Sequence, residues 1–176
     1  MGPFWDPSLM RLGTAIWLSY GFLPGNLDER NFRMSEVDPR IVRVCDSYKR
    51  AVYEKDVDAF LDLYHEEARV FDTWGIWSFE NVGERKGVIE NWFSSLGDER
   101  VRVTIDRIRS VVVQELATLS ARAAYAGLSA AGDELRAMQN RLTWVLKPEG
   151  GVWKIIHEHT SVPIGFSDLK GILQRE

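Results

Sequence analysis

The sequence predicts an α+β domain with helices packed on one face of a curved sheet of antiparallel strands. Three observations predict it. Helix-patterned segments are gathered in the first half of the chain. Four long strand-patterned segments follow in the second half, joined by turns too short for crossover helices. At 176 residues, with 45% hydrophobic and 27% charged side chains, the chain has the size and composition of one globular domain with a sizeable core.

Each element has its own signal. Ser35 or Asp38 can cap a first helix with Pro39 at an early position, and Ile41, Val44, Cys45, Tyr48 and Val52 recur at helical spacing. Asp56 caps a second helix, expected over residues 57–66, with Phe60, Leu61 and Tyr64 facing inward. Residues 68–74 alternate as a strand, with Val70, Asp72 and Trp74 on one face. Residues 76–87 read as a turn with a short paired strand. A third helix is expected over residues 88–96, with Ile89, Trp92, Phe93 and Leu96 on one side and Gly97 ending it.

Strand segments 100–113, 116–128 and 134–147 come next. In the first, the alternation slips near Arg107 and Ile108, which predicts a bulge. Pro148-Glu149-Gly150-Gly151 predicts a hairpin turn into the last strand. In that strand, residues 152–163, strict alternation puts Trp153, Ile155, His157, His159 and Ser161 on one face, expected to line a pocket. A short capping helix is expected over residues 167–175, with Ser167 as its N-cap.

Residues 1–34 differ in composition and read as an N-terminal extension, residues 35–165 as the domain, and residues 166–176 as a C-terminal tail. The extension is either a peripheral arm or a misassigned start ahead of Met34; it lacks the basic region and cleavage site of a secretory signal. No apolar run approaches the roughly 20 residues that span a bilayer, so no membrane partner is expected. A formal charge of -4, with interspersed signs, argues against a nucleic-acid partner. The single cysteine, Cys45, cannot form an internal disulfide and points to a reducing, cytoplasmic setting. No cofactor is expected, since Gly83 and Gly87 lack the spacing of a phosphate loop. No metal is expected either: His157 and His159 lie two apart on a strand, with no further His or Cys nearby to complete a set.

Two stretches carry a resemblance. One is 140-NRLTWVLKPEGGVWKIIHEHTSVP-163, with Arg141 in the penultimate strand, Gly151-x-Trp153 after the turn and a His157-x-His159-x-Ser161 ending. The other is 59-AFLDLYHEEARVFDTWG-75. Together they resemble the NTF2-like superfamily with its SnoaL-like and ketosteroid-isomerase-like branches; the last hairpin is most similar to the association domain of calcium/calmodulin-dependent protein kinase. Over about residues 37–164 the resemblance implies a cone-shaped half-barrel. Its strongly curved, mainly antiparallel sheet would carry three helices from the N-terminal half on the concave side, around a deep cavity. It also implies a homodimer through the convex sheet face.

The expected cavity residues follow. Asp72, His157 and His159 are the candidate catalytic groups. A carboxylate in an apolar pocket is pushed toward use as a general base or acid, and histidine titrates near neutral pH. Tyr48, Tyr53, Tyr64, Trp74, Arg141 and Ser161 are the candidate substrate-binding groups, with Arg141 suited to a carboxylate or an enolate oxygen. This set suits isomerisation, cyclisation or dehydration of a small carbonyl compound bound in the cavity. The alternative is a ligand-binding or oligomerisation module without chemistry, in which Asp72 only bonds Arg141 or a backbone amide. Ketosteroid isomerase combines an Asp base with a Tyr and a protonated Asp; no second pocket aspartate is evident in this sequence.

Overall fold

The computed structural model describes residues 37–175, so the readings made for residues 1–34 lie outside the described residues. The element order is α1 (Pro39–Glu54), α2 (Val57–Leu61), β1 (Tyr64–Phe71), α3 (Val82–Ser95), β2 (Arg100–Val113), β3 (Leu116–Leu128), β4 (Glu134–Glu149) and β5 (Val152–Ser161). The strands form one curved open sheet in the order β1-β5-β4-β3-β2. β1 runs parallel to β5 and all other pairs are antiparallel.

Local chemistry sets the helix ends. Asp38 Oδ1 accepts the Arg40 amide at 2.8 Å, Pro39 opens α1, and Lys55 closes it in the left-handed region at φ 57°. Asp56 Oδ1 accepts the Ala59 amide at 2.9 Å and starts α2. That helix ends at Leu61, short of the expected residue 66, because Tyr64 is already paired with Ile155 of β5. The β1 strand accordingly begins at Tyr64 rather than at residue 68. Helix α3 begins at Val82, ahead of the expected 88, with Asn81 Oδ1 accepting the Glu84 amide at 3.1 Å. The short paired strand in the preceding turn is a single bridge, Val70 to Phe79.

Every strand pair of the sheet carries a register shift, and two of them bear most on the sequence reading and the site. The slip near Arg107 is present: pairing with β3 shifts between Asp106 and Arg109, and Arg107 sits at φ 52°. A second bulge was not expected. Val145 pairs with His157 but Leu146 pairs with Ile155, so Ile156 is an extra residue in β5. The hairpin before it turns through Gly150 and Gly151, both at positive φ, as a two-residue turn matched to sheet twist requires.

The core lies between the helices and the inner sheet face. Phe60, Trp144, Leu142, Leu119 and Ile41 are fully buried there, each contributing on the order of 1.5–3 kcal/mol of transfer free energy. Trp153 is also buried, whereas Trp77 is 96% exposed. The expected helix over 167–175 does not form. The tail makes a turn held by Gly165 N–H to Lys170 O (2.8 Å), then lies along β4 with Leu173 O accepting the Gln139 amide at 2.7 Å. Backbone groups of β4 left open beyond the end of β5 thus gain partners without a helix. None of the described helices is long and apolar enough to cross a membrane.

Candidate functional site

A cavity of about 650 Å³ opens between the inner sheet face, α1 and α3. Its walls are largely apolar: Val88, Ile89 and Trp92 come from α3, Met138 from β4, and Leu173 from the tail. The polar groups come from several elements. Asp72 and Trp74 follow β1, Arg85 stands on α3, and Asn140, Glu158 and Thr160 stand on β4 and β5. Tyr48 and Tyr125 add a pair of hydroxyls 2.9 Å apart.

At the floor lies a buried ion pair. Arg85 Nη2 donates to Glu158 Oε1 at 2.7 Å, with the two residues 4% and 1% exposed. The other carboxylate oxygen, Oε2, accepts Tyr64 O–H at 2.6 Å and Trp144 Nε1–H at 2.7 Å. Three donors hold Glu158 in place as a carboxylate acceptor. Arg85 also lies over the rings of Tyr64 and Phe60, 5.0 and 5.3 Å from their centres. Among the described residues its Nε and Nη1 have no hydrogen-bond partner. Burial works against its charge, but Glu158 and the other acidic groups outweigh that and drive its pKa above the usual guanidinium range.

Of the two carboxylates that line the cavity, Asp72 is the more exposed, at 23% of its side chain against 1% for Glu158. Its Oδ1 accepts the Trp74 amide at 3.2 Å and the Thr160 hydroxyl at 3.3 Å. Its Oδ2 lies 3.6 Å from Arg85 Nη2, beyond normal hydrogen-bond length. Oδ1 is thus fixed by two hydrogen bonds, while Oδ2 faces the Arg85 guanidinium without a hydrogen bond of its own. Burial raises the pKa of Tyr48 well above the ordinary phenol value, with the Tyr125 hydroxyl adding to it. Burial also raises that of Tyr125, so both hydroxyls stay protonated. One of the two donates to the other, which leaves one proton for a ligand.

Several expected site residues stand elsewhere. The bulge at Ile156 reverses the facing of the rest of β5, so Glu158 and Thr160 point inward while His157, His159 and Ser161 lie on the outer face. There His157 Nδ1 lies 2.9 Å from Arg69 O, and the Phe71 ring meets both imidazoles edge-on at 5.1 and 5.7 Å. Arg141 points outward because its neighbours Leu142, Trp144 and Leu146 take the inner face. Tyr53 is 47% exposed, away from the cavity lining. Tyr64 is buried, but its hydroxyl is committed to Glu158. Of the expected set, Asp72, Trp74 and Tyr48 line the cavity.

Sequence reasoning passed over Arg85, Glu158, Tyr125, Asn140 and Thr160. Arg85 was within reach: it stands four residues before Ile89 and eight before Phe93, on the buried stripe of α3. For Glu158 the one hint was the adjacent apolar pair Ile155-Ile156, which interrupts strict alternation. Among the described residues no group of three or more His, Cys, Asp and Glu side chains is placed to hold a metal ion.

Solved structures share this architecture. An NTF2-like protein from Pseudomonas putida is 18% identical, with 78% of this chain and 94% of that one covered at a TM-score of 0.69. A putative calcium/calmodulin-dependent protein kinase II association domain from Xanthomonas campestris is 16% identical, covering 69% and 84% at 0.59. An NTF2-like protein with a cystatin-like fold from Novosphingobium aromaticivorans is 12% identical, covering 74% and 84% at 0.61. At these identities the likeness shows the fold alone. No curated protein matches the chain in sequence. The sequence profile of the SnoaL-like domain matches residues 41–165, and the chain belongs to that family within the NTF2-like superfamily.

Proposed function

We propose that the cavity binds a small carbonyl compound and that Asp72 moves a proton on it, in an isomerase, cyclase or dehydratase type of reaction that uses the protein's own groups. The family supports small-molecule binding; the chemistry is read from the cavity. The observation that carries it is Asp72: one oxygen is pinned by Trp74 N–H and Thr160, the other makes no hydrogen bond and has Arg85 at 3.6 Å, and the residue lines an apolar-walled space. Asp72 Oδ2 takes a proton from the carbon beside the carbonyl. The C–H electron pair moves into the new C=C bond, and the carbonyl oxygen becomes an enolate oxygen. The free proton of the Tyr48–Tyr125 pair is the donor available to that oxygen. The protonated Asp72 then returns its proton to another carbon or to a leaving hydroxyl. The outward histidines take no part in this scheme.

Asp72→Asn keeps the hydrogen-bond geometry and removes the base. With a substrate drawn from hydroxy-carbonyl or polyketide-like compounds, turnover falls by about two to four orders of magnitude, and ligand affinity changes little. Unchanged turnover in this variant sinks the acid–base reading. A ligand-binding or assembly module is the second reading. It is favoured by the commitment of the strongest charges, Arg85 and Glu158, to each other, and by the fold shared with the putative association domain from Xanthomonas campestris.

A further inference from the structure

We infer that Arg136 determines which ligands the cavity takes, and that the ligand is an elongated, largely apolar acid whose carboxylate docks on this guanidinium at the cavity rim. This rests on the cavity being a ligand chamber, but it does not require Asp72 to act as a base.

Arg136 stands on β4 two residues before Met138, on the inner sheet face, and lines the cavity with 60% of its side chain exposed. An incoming anion can therefore reach it. The other cation of the lining, Arg85, is buried and held by Glu158. Arg136 Nη2 donates to Glu99 Oε2, and among the described residues this is the side chain's one hydrogen bond. A guanidinium carries five N–H donors in a planar fork, so an edge remains for a second carboxylate.

The sheet beneath is shaped to this side chain. Arg136 pairs with Gly127 of β3, which pairs in turn with Val101 of β2. Gly127 is not at positive φ, so its backbone conformation admits a side chain. What a side chain would take is space. A Cβ there would come within 3.3 Å of Arg136 Cγ and Cζ, and the arginine would have to shift. The bare strand gives the guanidinium a seat against the sheet, which a surface ion pair does not need.

The chemistry of the walls sets the rest of the ligand. Val101, Met138 and Leu173 line the cavity with Arg136. Thr160, which bonds Asp72, pairs with Leu142, six residues along β4 from Arg136 and at most about 20 Å away at strand rise. An anion held by Arg136 is thus remote from a carbon held at Asp72, with apolar wall between them. A long apolar body with a carboxylate at one end and its carbonyl toward the other fits both. Glu99 tempers the preference, because its carboxylate competes for the same guanidinium and repels a second anion.

The test uses the full chain with two matched probe pairs: pyrenebutyrate with pyrenebutanol, and decanoate with decanol read by displacement of the pyrene probe. Fluorescence titration of wild type is expected to show each acid bound about five-fold or more tighter than its alcohol. Arg136→Gln is expected to bring that ratio to unity or below, and Glu99→Gln to widen it. Both variants are expected to melt close to wild type. Equal affinities in wild type, no binding of either acid, an unchanged ratio in Arg136→Gln, or a ratio that fails to widen in Glu99→Gln each overturn the inference. So does a melting temperature of Arg136→Gln far below wild type, which marks the pair as structural. The Asp72→Asn protein keeps the preference for acids. A failure of the proton-transfer reading therefore shows in turnover, and a failure of this one shows in ligand selectivity.

Discussion

Glu158 and Arg85 decide what the cavity floor can be. Both are almost wholly removed from water, and each charge is tolerable only because the other is 2.7 Å away with Tyr64 and Trp144 completing the carboxylate's bonds. The pair is therefore an anchor that sets where Arg85 stands, and through Arg85 it biases the position of Asp72. Glu158→Gln preserves shape but leaves a buried guanidinium facing an amide. It is expected to cost about 3–5 kcal/mol in urea unfolding, toward the low end because Asp72 lies 3.6 Å from Arg85 as a residual partner. Replacing both members, Glu158→Leu with Arg85→Met, removes the unpaired charge but leaves Tyr64 O–H and Trp144 Nε1–H without an acceptor, so it is expected to recover only part of that loss. A double variant as unstable as the sum of two single losses contradicts the anchor account.

At the scale of elements, the site depends on where α3 starts and where β5 bulges. The elements whose apolar pattern is uninterrupted were legible: the stripe of α1, the three long strands, the bulge at Arg107 and the glycine turn at Gly150-Gly151 each left a signal in local sequence. The inner face of β5 was not legible past Ile155. One extra residue inverts every later side chain, and nothing in His157-Glu158-His159 says which parity faces the core. The surprise is that a carboxylate went inside and two histidines outside. The reason lies elsewhere in the chain, in Arg85, Tyr64 and Trp144, which satisfy a carboxylate and have nothing for an imidazole. Arg85 itself was missed because α3 was begun a turn and a half too late. The opening turn and a half is weak in propensity, carrying Gly83 and Gly87, so its cap matters. Asn81 Oδ1 bonds the Glu84 amide, and Glu84 Oε2 returns to the Glu80 amide at 2.9 Å. Asn81→Ala is expected to cost about 1 kcal/mol and to speed amide exchange in residues 82–86 ahead of the rest of α3. Exchange that rises uniformly along the helix instead would show that the cap does not hold the turn carrying Arg85.

At the scale of the molecule, the sheet has one face under the helices, and its other face carries no helix among the described residues, with Arg175 of the tail beside Asp106 and Arg122. That outer face carries exposed Val111, Val113 and Leu116 at the β2–β3 end. Across its middle it carries Arg122 directly opposite Arg141, with Asp106 and Ser161 completing the row. We propose that a second copy packs on this face as a two-fold homodimer, with the apolar residues as contact and the arginine row as an opposing charge. Two such faces brought together place like charges within a Debye length, about 10 Å at 0.1 M salt, so association carries a repulsive component that salt removes. Sedimentation at micromolar concentration is expected to show a species of twice the chain mass, its fraction rising as salt increases from about 0.05 M to about 0.5 M. Arg141→Ser, which thins the row without touching the core, is expected to tighten the dimer at low salt and flatten the salt dependence. A monomer at every salt concentration rejects the interface. A dimer that weakens with salt shows instead that the arginines meet carboxylates across it, and that the row is an attraction between copies.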